Sequence, residues 1–205
     1  MTSRKNLEII LSQSILGFTD PKIKFEQYQT PSRVASNLVF YANMLNEIHS
    51  KTVVDICAGT GILGIAASIL GGIVSMVEID ADVIEIQRKN IDNLNLTIDS
   101  IHNDVLAWFP DEKFDTALLN PPFGIQQKKY TDIKILKKAT KIANICYSIH
   151  DGSPTNIERL PKLLMKEDIE ILGSYTDEFN LPVTYSWHSN LKKINKVLVL
   201  RTKAV

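Results

Sequence analysis

At 205 residues the chain is long enough for one full domain plus a small appendage. A hydrophobic content of 44% and a charged content of 22% exclude a disordered or fibrous chain and describe an ordinary globular protein. The formal net charge of zero hides a polarity: residues 124–141 hold six lysines and one acid, residues 179–205 hold five Lys/Arg and no acid, and the remainder carries a net −10. The two cysteines, Cys57 and Cys146, offer neither a disulfide framework nor a metal-ligand spacing, which fits a reducing, cytoplasmic setting.

Taken in order, residues 4–16 place Leu7, Ile10, Leu11 and Ile15 on a helical stripe. Ser12-Gln13-Ser14 interrupts that apolar run, so neither a signal peptide nor a membrane span is expected. Residues 19–31, with Pro21 and Pro31, read as an extended segment leading into a turn. Ser32 is expected to cap a helix through residue 48 whose apolar face is Val34, Leu38, Tyr41, Ala42 and Leu45.

From residue 52 strands and helices alternate. Strands are expected at 52–57, 73–79, 97–102, 114–119 and about 145–149. Helices are expected from Ile62 to Leu70, over 81–94 with Val83, Ile86 and Ile91 inward, over 131–143 and near 155–165. The last two elements, about 169–176 and 195–202, read as an antiparallel pair. The class is therefore α/β: a Rossmann-like, doubly wound, seven-stranded sheet, mostly parallel with an antiparallel C-terminal strand. Residues 1–50 form a helical and extended N-terminal segment, and 51–205 the domain itself.

Gly59-Thr60-Gly61-Ile62-Leu63-Gly64 is G-x-G-x-x-G between a strand and a helix. That spacing gives a tight turn and lets backbone approach a ligand at a helix N-terminus. Glu78, ending the next strand, stands where a carboxylate takes both hydroxyls of a ribose. These two features leave a nicotinamide cofactor and S-adenosyl-L-methionine equally open. Three others separate them: Asp55 inside the first strand, Asp104-Val105 after the third, and Asn120-Pro121-Pro122-Phe123 after the fourth. Any one could be a capping or turn residue. All four sites fall at the carboxyl ends of successive strands, where open α/β sheets bind their ligands.

Asp55–Gly61, Glu78, Asp104-Val105 and Asn120–Phe123 together resemble the class I S-adenosylmethionine-dependent methyltransferases that act on planar amino or amide nitrogens. Phe25-Glu26-Gln27-Tyr28-Gln29-Thr30-Pro31, Phe123-Gly124 through Thr131-Asp132, and Tyr147-Ser148-Ile149-His150 narrow the resemblance. They are similar to the small ribosomal RNA adenine-N6 methyltransferases of archaea and eukaryotes. The resemblance implies that the N-terminal segment closes the cofactor site through Gln27 and Thr30. It also implies cofactor contacts from Asp55, Cys57, Gly59, Thr60, Gly61, Ile62, Glu78, Asp104 and Val105. One position departs from the pattern: Cys57 stands where the usual D-x-G-x-G-x-G has its first glycine. Eukaryotic members of the family work with a small zinc-binding activator docked on the sheet edge, here the third strand.

The chemistry follows from the residue types. The adenine N6 lone pair is delocalised into the ring, so the amine is a poor nucleophile. The Asn120 side-chain oxygen and a carbonyl of Pro121 or Pro122 are neutral acceptors that draw it toward tetrahedral geometry. Phe123 offers a ring for base stacking, worth roughly 1–3 kcal/mol per base. Lys128 and Lys129, just after that loop, stand where substrate RNA phosphates would pass and are expected to contact them, and Lys192 and Lys193 near His188 are expected to border the same cleft; a solvated face is the alternative for each stretch. Lys134, Lys138 and Lys141 share a helical face expected to be solvated, and His150 reads as a structural hydrogen-bonding residue. Three other readings stay open: a protein glutamine methyltransferase, a dinucleotide dehydrogenase, and a cofactor-binding scaffold without activity.

Overall fold

The computed structural model describes residues 2–123, 131–180 and 194–205. Two helices, α1 (Arg4–Ser14) and α2 (Ser32–Met44), precede the alternation. The sequence then runs β1 (Thr52–Ile56), α3 (Ile62–Ile69), β2 (Ile73–Glu78), α4 (Ala81–Asn93), β3 (Asp99–His102) and β4 (Phe114–Leu119). It continues through α5 (Thr131–Ile142), β5 (Ala143–Asp151), α6 (Pro154–Lys166), β6 (Ile169–Asn180) and β7 (Ile194–Ala204). The seven strands are ordered β3-β2-β1-β4-β5-β7-β6. All neighbours pair in parallel except β7, which is antiparallel to both β5 and β6.

The period-2 alternation of each strand separates two cores. Val53, Met76, Leu118, Tyr147 and Val199 face one side with Leu7 and Leu11 of α1, Val34 and Leu38 of α2, and Ile65 and Ala66 of α3. Val54, Val77, Ala117, Leu119, Cys146 and Leu200 face the other with Leu136 and Ala139 of α5 and Leu160 and Leu164 of α6, and this second core is called the lower and the first the upper. Strands covered on both faces must be apolar throughout, which is why β1 and β4 read as continuous runs. The chain winds outward from β1 through β2 to β3 and then crosses back to place β4 on the other side of β1, so the winding direction reverses between β1 and β4. The carboxyl ends of β1 and β4 therefore open on the crevice where this architecture holds its ligands.

Three local expectations are corrected. Ser32 is the first helical residue of α2, and Pro31, extended at φ −60° and ψ 140°, takes the cap position, with no side-chain capping bond. Strand β3 begins at Asp99, because Leu96 and Ile98 pack into the upper core from the preceding connection. Lys138 leaves the solvated face: it is buried, with its ammonium 3.0 Å from the centre of the Phe109 ring. The hairpin of β6 and β7 is also longer than expected. Asp177 near its end accepts from Arg33 (2.5 Å) and Asn37 (2.9 Å) of α2, contacts that local sequence does not display.

Candidate functional site

The glycine loop is built on alternating left-handed residues. Cys57 (φ 55°), Gly59 (φ 53°) and Gly61 (φ 87°) turn the chain from β1 into α3. At 57 a cysteine accepts the conformation that glycine adopts without steric cost. Gly64 serves another purpose: a Cβ there would lie 2.7 Å from Met76 Cε and 3.2 Å from Asp55 Cβ, so a larger residue would have to displace both where α3 settles on the sheet.

Asp55 is buried beneath this turn. Its Oδ2 accepts the Gly64 N–H at 2.8 Å, while Oδ1 has no hydrogen-bond partner among the described residues. Burial pushes the carboxyl up to about 8, with the Gly64 bond opposing and the charge of Glu78 adding to the shift. Glu78 is held by backbone: Gly59 N–H donates to Oε2 (2.8 Å), and the N–H groups of Ile79 and Asp80 donate to Oε1 (3.0 Å each). Burial raises its pKa as well, partly offset by those three donors. The Cys57 thiol is pushed well above its ordinary range, first by burial and then by Glu78, Asp55 and Asp104. It stays a neutral thiol, not an activated nucleophile.

Within the glycine loop Thr60 and Ile62 are buried, and Val105 is buried after β3. Asp104 is exposed; its Oδ1 accepts the Leu106 N–H at 2.9 Å, so one oxygen caps the turn. Asn120, partly exposed, follows β4 directly, with Pro121 buried beside it. Phe123 is half-buried and packs against the upper core.

Residues 16–31 lie across these strand ends as a strap. Leu16 exchanges two hydrogen bonds with the Asn90 amide (2.7 and 3.2 Å). The Phe18 ring rests on Gly59, where a Cβ would come within 3.1 Å of it. Gln27 donates to Asp80 at 2.8 Å and accepts the Lys22 N–H at 2.7 Å, and the Lys22 ammonium reaches Asp80 (2.6 Å) and Asp82 (2.7 Å). Thr60 donates to Gln29 at 2.8 Å, and the Asn120 amide donates to Thr30 at 2.9 Å. The strap is not uniformly extended: it contains a single 3-10 turn, Ile23–Phe25, ended by Glu26 at φ 51°.

The structure thus gathers Gln27, Thr30, Asp55, Cys57, Gly59, Thr60, Gly61, Ile62, Glu78, Asp104, Val105 and Asn120–Phe123 at one end of the sheet. Lys128, Lys129, Lys192 and Lys193 lie outside the described residues. Sequence reasoning missed four supports. Lys22 and Asp80 tie the strap to the end of β2. Gln87 and Asn90 of α4 donate to the carbonyls of Gly59 (2.7 Å) and Thr60 (2.9 Å). The available signal was the α4 helical face Val83-Gln87-Asn90-Ile91, where two amides interrupt apolar positions; a polar residue on a buried face must find a partner.

The methyltransferase small domain model matches residues 34–144, more than half of the chain. The rRNA N(6)-adenosine-methyltransferase METTL5 of Danio rerio is 32% identical over 190 residues, covering 90% of this chain and 90% of that protein. The corresponding rRNA N(6)-adenosine-methyltransferase of Drosophila melanogaster is 32% identical over 88% of this chain and 87% of its own. Among solved structures, that of a proposed RNA methyltransferase from Pyrococcus horikoshii superposes with a TM-score of 0.90 at 32% identity. It covers 100% of this chain and 99% of the other.

Proposed function

From the premise that the chain belongs to the methyltransferase small domain family, we infer that it forms N6-methyladenine in ribosomal RNA with S-adenosyl-L-methionine as cofactor. The reading is supported by relatives that carry this activity and align over nearly their whole length. The observation that carries it is Asn120, an amide held at the carboxyl end of β4 beside the crevice over Asp55 and Glu78.

The residues fit the cofactor. Asp55 Oδ1 is a buried acceptor without a partner among the described residues, suited to a cationic ligand or the water beside it. Glu78 Oε2 accepts one backbone N–H, which leaves a lone pair for a ribose hydroxyl. S-adenosyl-L-methionine supplies a methyl group already activated by its sulfonium. The protein therefore contributes mainly positioning, and no general base with a tuned pKa is demanded. Asn120 Oδ1 and a proline carbonyl accept the two N–H bonds of the adenine amine, and Phe123 stacks on the base, which must be unstacked or extruded to enter. Gln27 and Thr30 close the cofactor side, with residues 1–50 serving as that closure. Lys128, Lys129, Lys192 and Lys193 meet RNA phosphates.

Among the described residues no helix is long and apolar enough to cross a membrane, and a cytoplasmic location suits a ribosomal RNA substrate. Strand β3 ends the sheet, where a small zinc-binding activator would add to its edge. The short strand with Asp99 and His102 turned to solvent also blunts that edge unaided, and we take the chain to fold and bind cofactor alone. The test is incubation with labelled S-adenosyl-L-methionine and ribosomal subunits, free ribosomal RNA or ribosomal protein, followed by digestion. Label in N6-methyladenosine is expected; label in glutamine, or none in RNA, contradicts the reading.

A further inference from the structure

We propose that Thr30 is a positioning residue for methyl transfer: its side-chain oxygen orients the Asn120 amide so that the carbamoyl oxygen, and not the NH2, faces the substrate amine. The proposal rests on the reading of the site as an amine methyltransferase. An asparagine amide has two ends of nearly equal size and opposite hydrogen-bonding sense, and its terminal torsion is broad. Pro121 and Pro122 stiffen the backbone but leave that torsion free. An amine being methylated needs an acceptor, and an NH2 turned toward it offers only donors.

The structure supplies the missing constraint. Asn120 Nδ2 donates to Thr30 Oγ1 at 2.9 Å, which turns the carbamoyl oxygen away from Thr30. The oxygen is thereby left for the substrate. Thr30 itself is buried, and a β-branched side chain has few χ1 choices. It is fixed from both sides: Gln29 accepts from Thr60 of the glycine loop, Gln27 donates to Asp80, and Pro31 opens α2. Two hydrogen bonds, Thr60 to Gln29 and Asn120 to Thr30, thus connect the cofactor loop to the reacting amide through adjacent residues of the strap. Seating the strap and orienting the amide become one event.

The test uses Thr30→Val, which keeps the shape and loses the hydroxyl, and Thr30→Ser, which keeps the hydroxyl. Each is made in the native chain and with Asn120→Asp, whose two carboxylate oxygens are equivalent and need no orienting. N6-methyladenosine formation is measured at saturating cofactor and RNA, with cofactor Kd measured separately by calorimetry. The expected result is that Thr30→Val lowers kcat about tenfold in the native background, the scale of one misplaced hydrogen bond. Thr30→Ser should restore most of it, and with Asn120→Asp the Thr30→Val loss should shrink to within about twofold. An equal loss in both backgrounds, or none in the native one, overturns the proposal while leaving the functional reading intact. Where Asn120→Asp turns over too slowly to measure, the serine variant decides: rescue supports the orientation, and a loss shared by serine overturns it. A native chain that makes no N6-methyladenosine on any RNA overturns the functional reading and the proposal together.

Discussion

The carboxylate of Asp55 accepts the Gly64 N–H at 2.8 Å, and this bond ties β1 to the first turn of α3 beneath the glycine loop. The other carboxylate oxygen stays buried without a described partner, and burial raises the group to about 8. An unfolded aspartate titrates near 4, so between about pH 4 and 8 the fold retains a proton that the unfolded chain has lost. Stability of the cofactor-free protein should therefore fall as pH rises through that window and level above it. A cationic ligand favours the ionised form. Affinity for S-adenosyl-L-methionine should thus rise with pH toward 8, with a proton released on binding, while S-adenosylhomocysteine, which lacks the sulfonium charge, should show a weaker trend. Calorimetry in buffers of different ionisation enthalpy measures the proton directly. Asp55→Asn should abolish both trends; pH-independent binding to the native chain would show that Asp55 does not sense the cofactor.

Glu78 organises the end of β2 through three backbone donors and is expected to hold the ribose. Glu78→Ala should weaken cofactor binding by about 1–3 kcal/mol, the scale of charge-assisted hydrogen bonds. Equilibrium binding to the variant checks this, and unchanged affinity would confine Glu78 to holding Gly59.

Cys57 holds a left-handed conformation that costs a non-glycine residue roughly 1–2 kcal/mol. Cys57→Gly should relieve that strain at the expense of the thiol's packing on the lower core. A modest rise in Tm with cofactor affinity retained is expected from thermal melts. Because the thiol is held neutral, iodoacetamide should modify the native chain slowly at pH 7.5.

How much of this was legible depended on whether a residue's role was local. The strands of the parallel sheet were readable because burial on both faces demands apolar runs such as Phe114–Leu119. The glycine loop was readable because its backbone needs left-handed positions at fixed spacing. Supports contributed from a distance were not readable. Asn90 lies 74 residues from Leu16, and Lys22 lies 58 from Asp80. Thr30 was legible as a strap residue only through resemblance, and its bond to Asn120 spans 90 positions. Ser32 misled for a related reason: Pro31 already fixes the extended backbone that a cap requires.

The basic stretches make a separate prediction about RNA. If Lys128, Lys129, Lys192 and Lys193 meet phosphates, RNA affinity must fall with salt along a slope that counts the contacts. Lys128→Ala with Lys129→Ala should flatten that slope and leave cofactor binding alone. A slope identical to that of the native chain would return these lysines to solvent.

If the Asn120 amide serves the adenine amine, its removal should stop turnover and spare the cofactor. Native chain and Asn120→Ala are each incubated with ribosomal RNA and labelled S-adenosyl-L-methionine, their cofactor affinities are matched by calorimetry, and N6-methyladenosine is counted after digestion. N6-methyladenosine is expected from the native chain, with near-complete loss in Asn120→Ala at nearly native cofactor affinity. Normal turnover by Asn120→Ala would contradict that role and reduce Asn120–Phe123 to a turn.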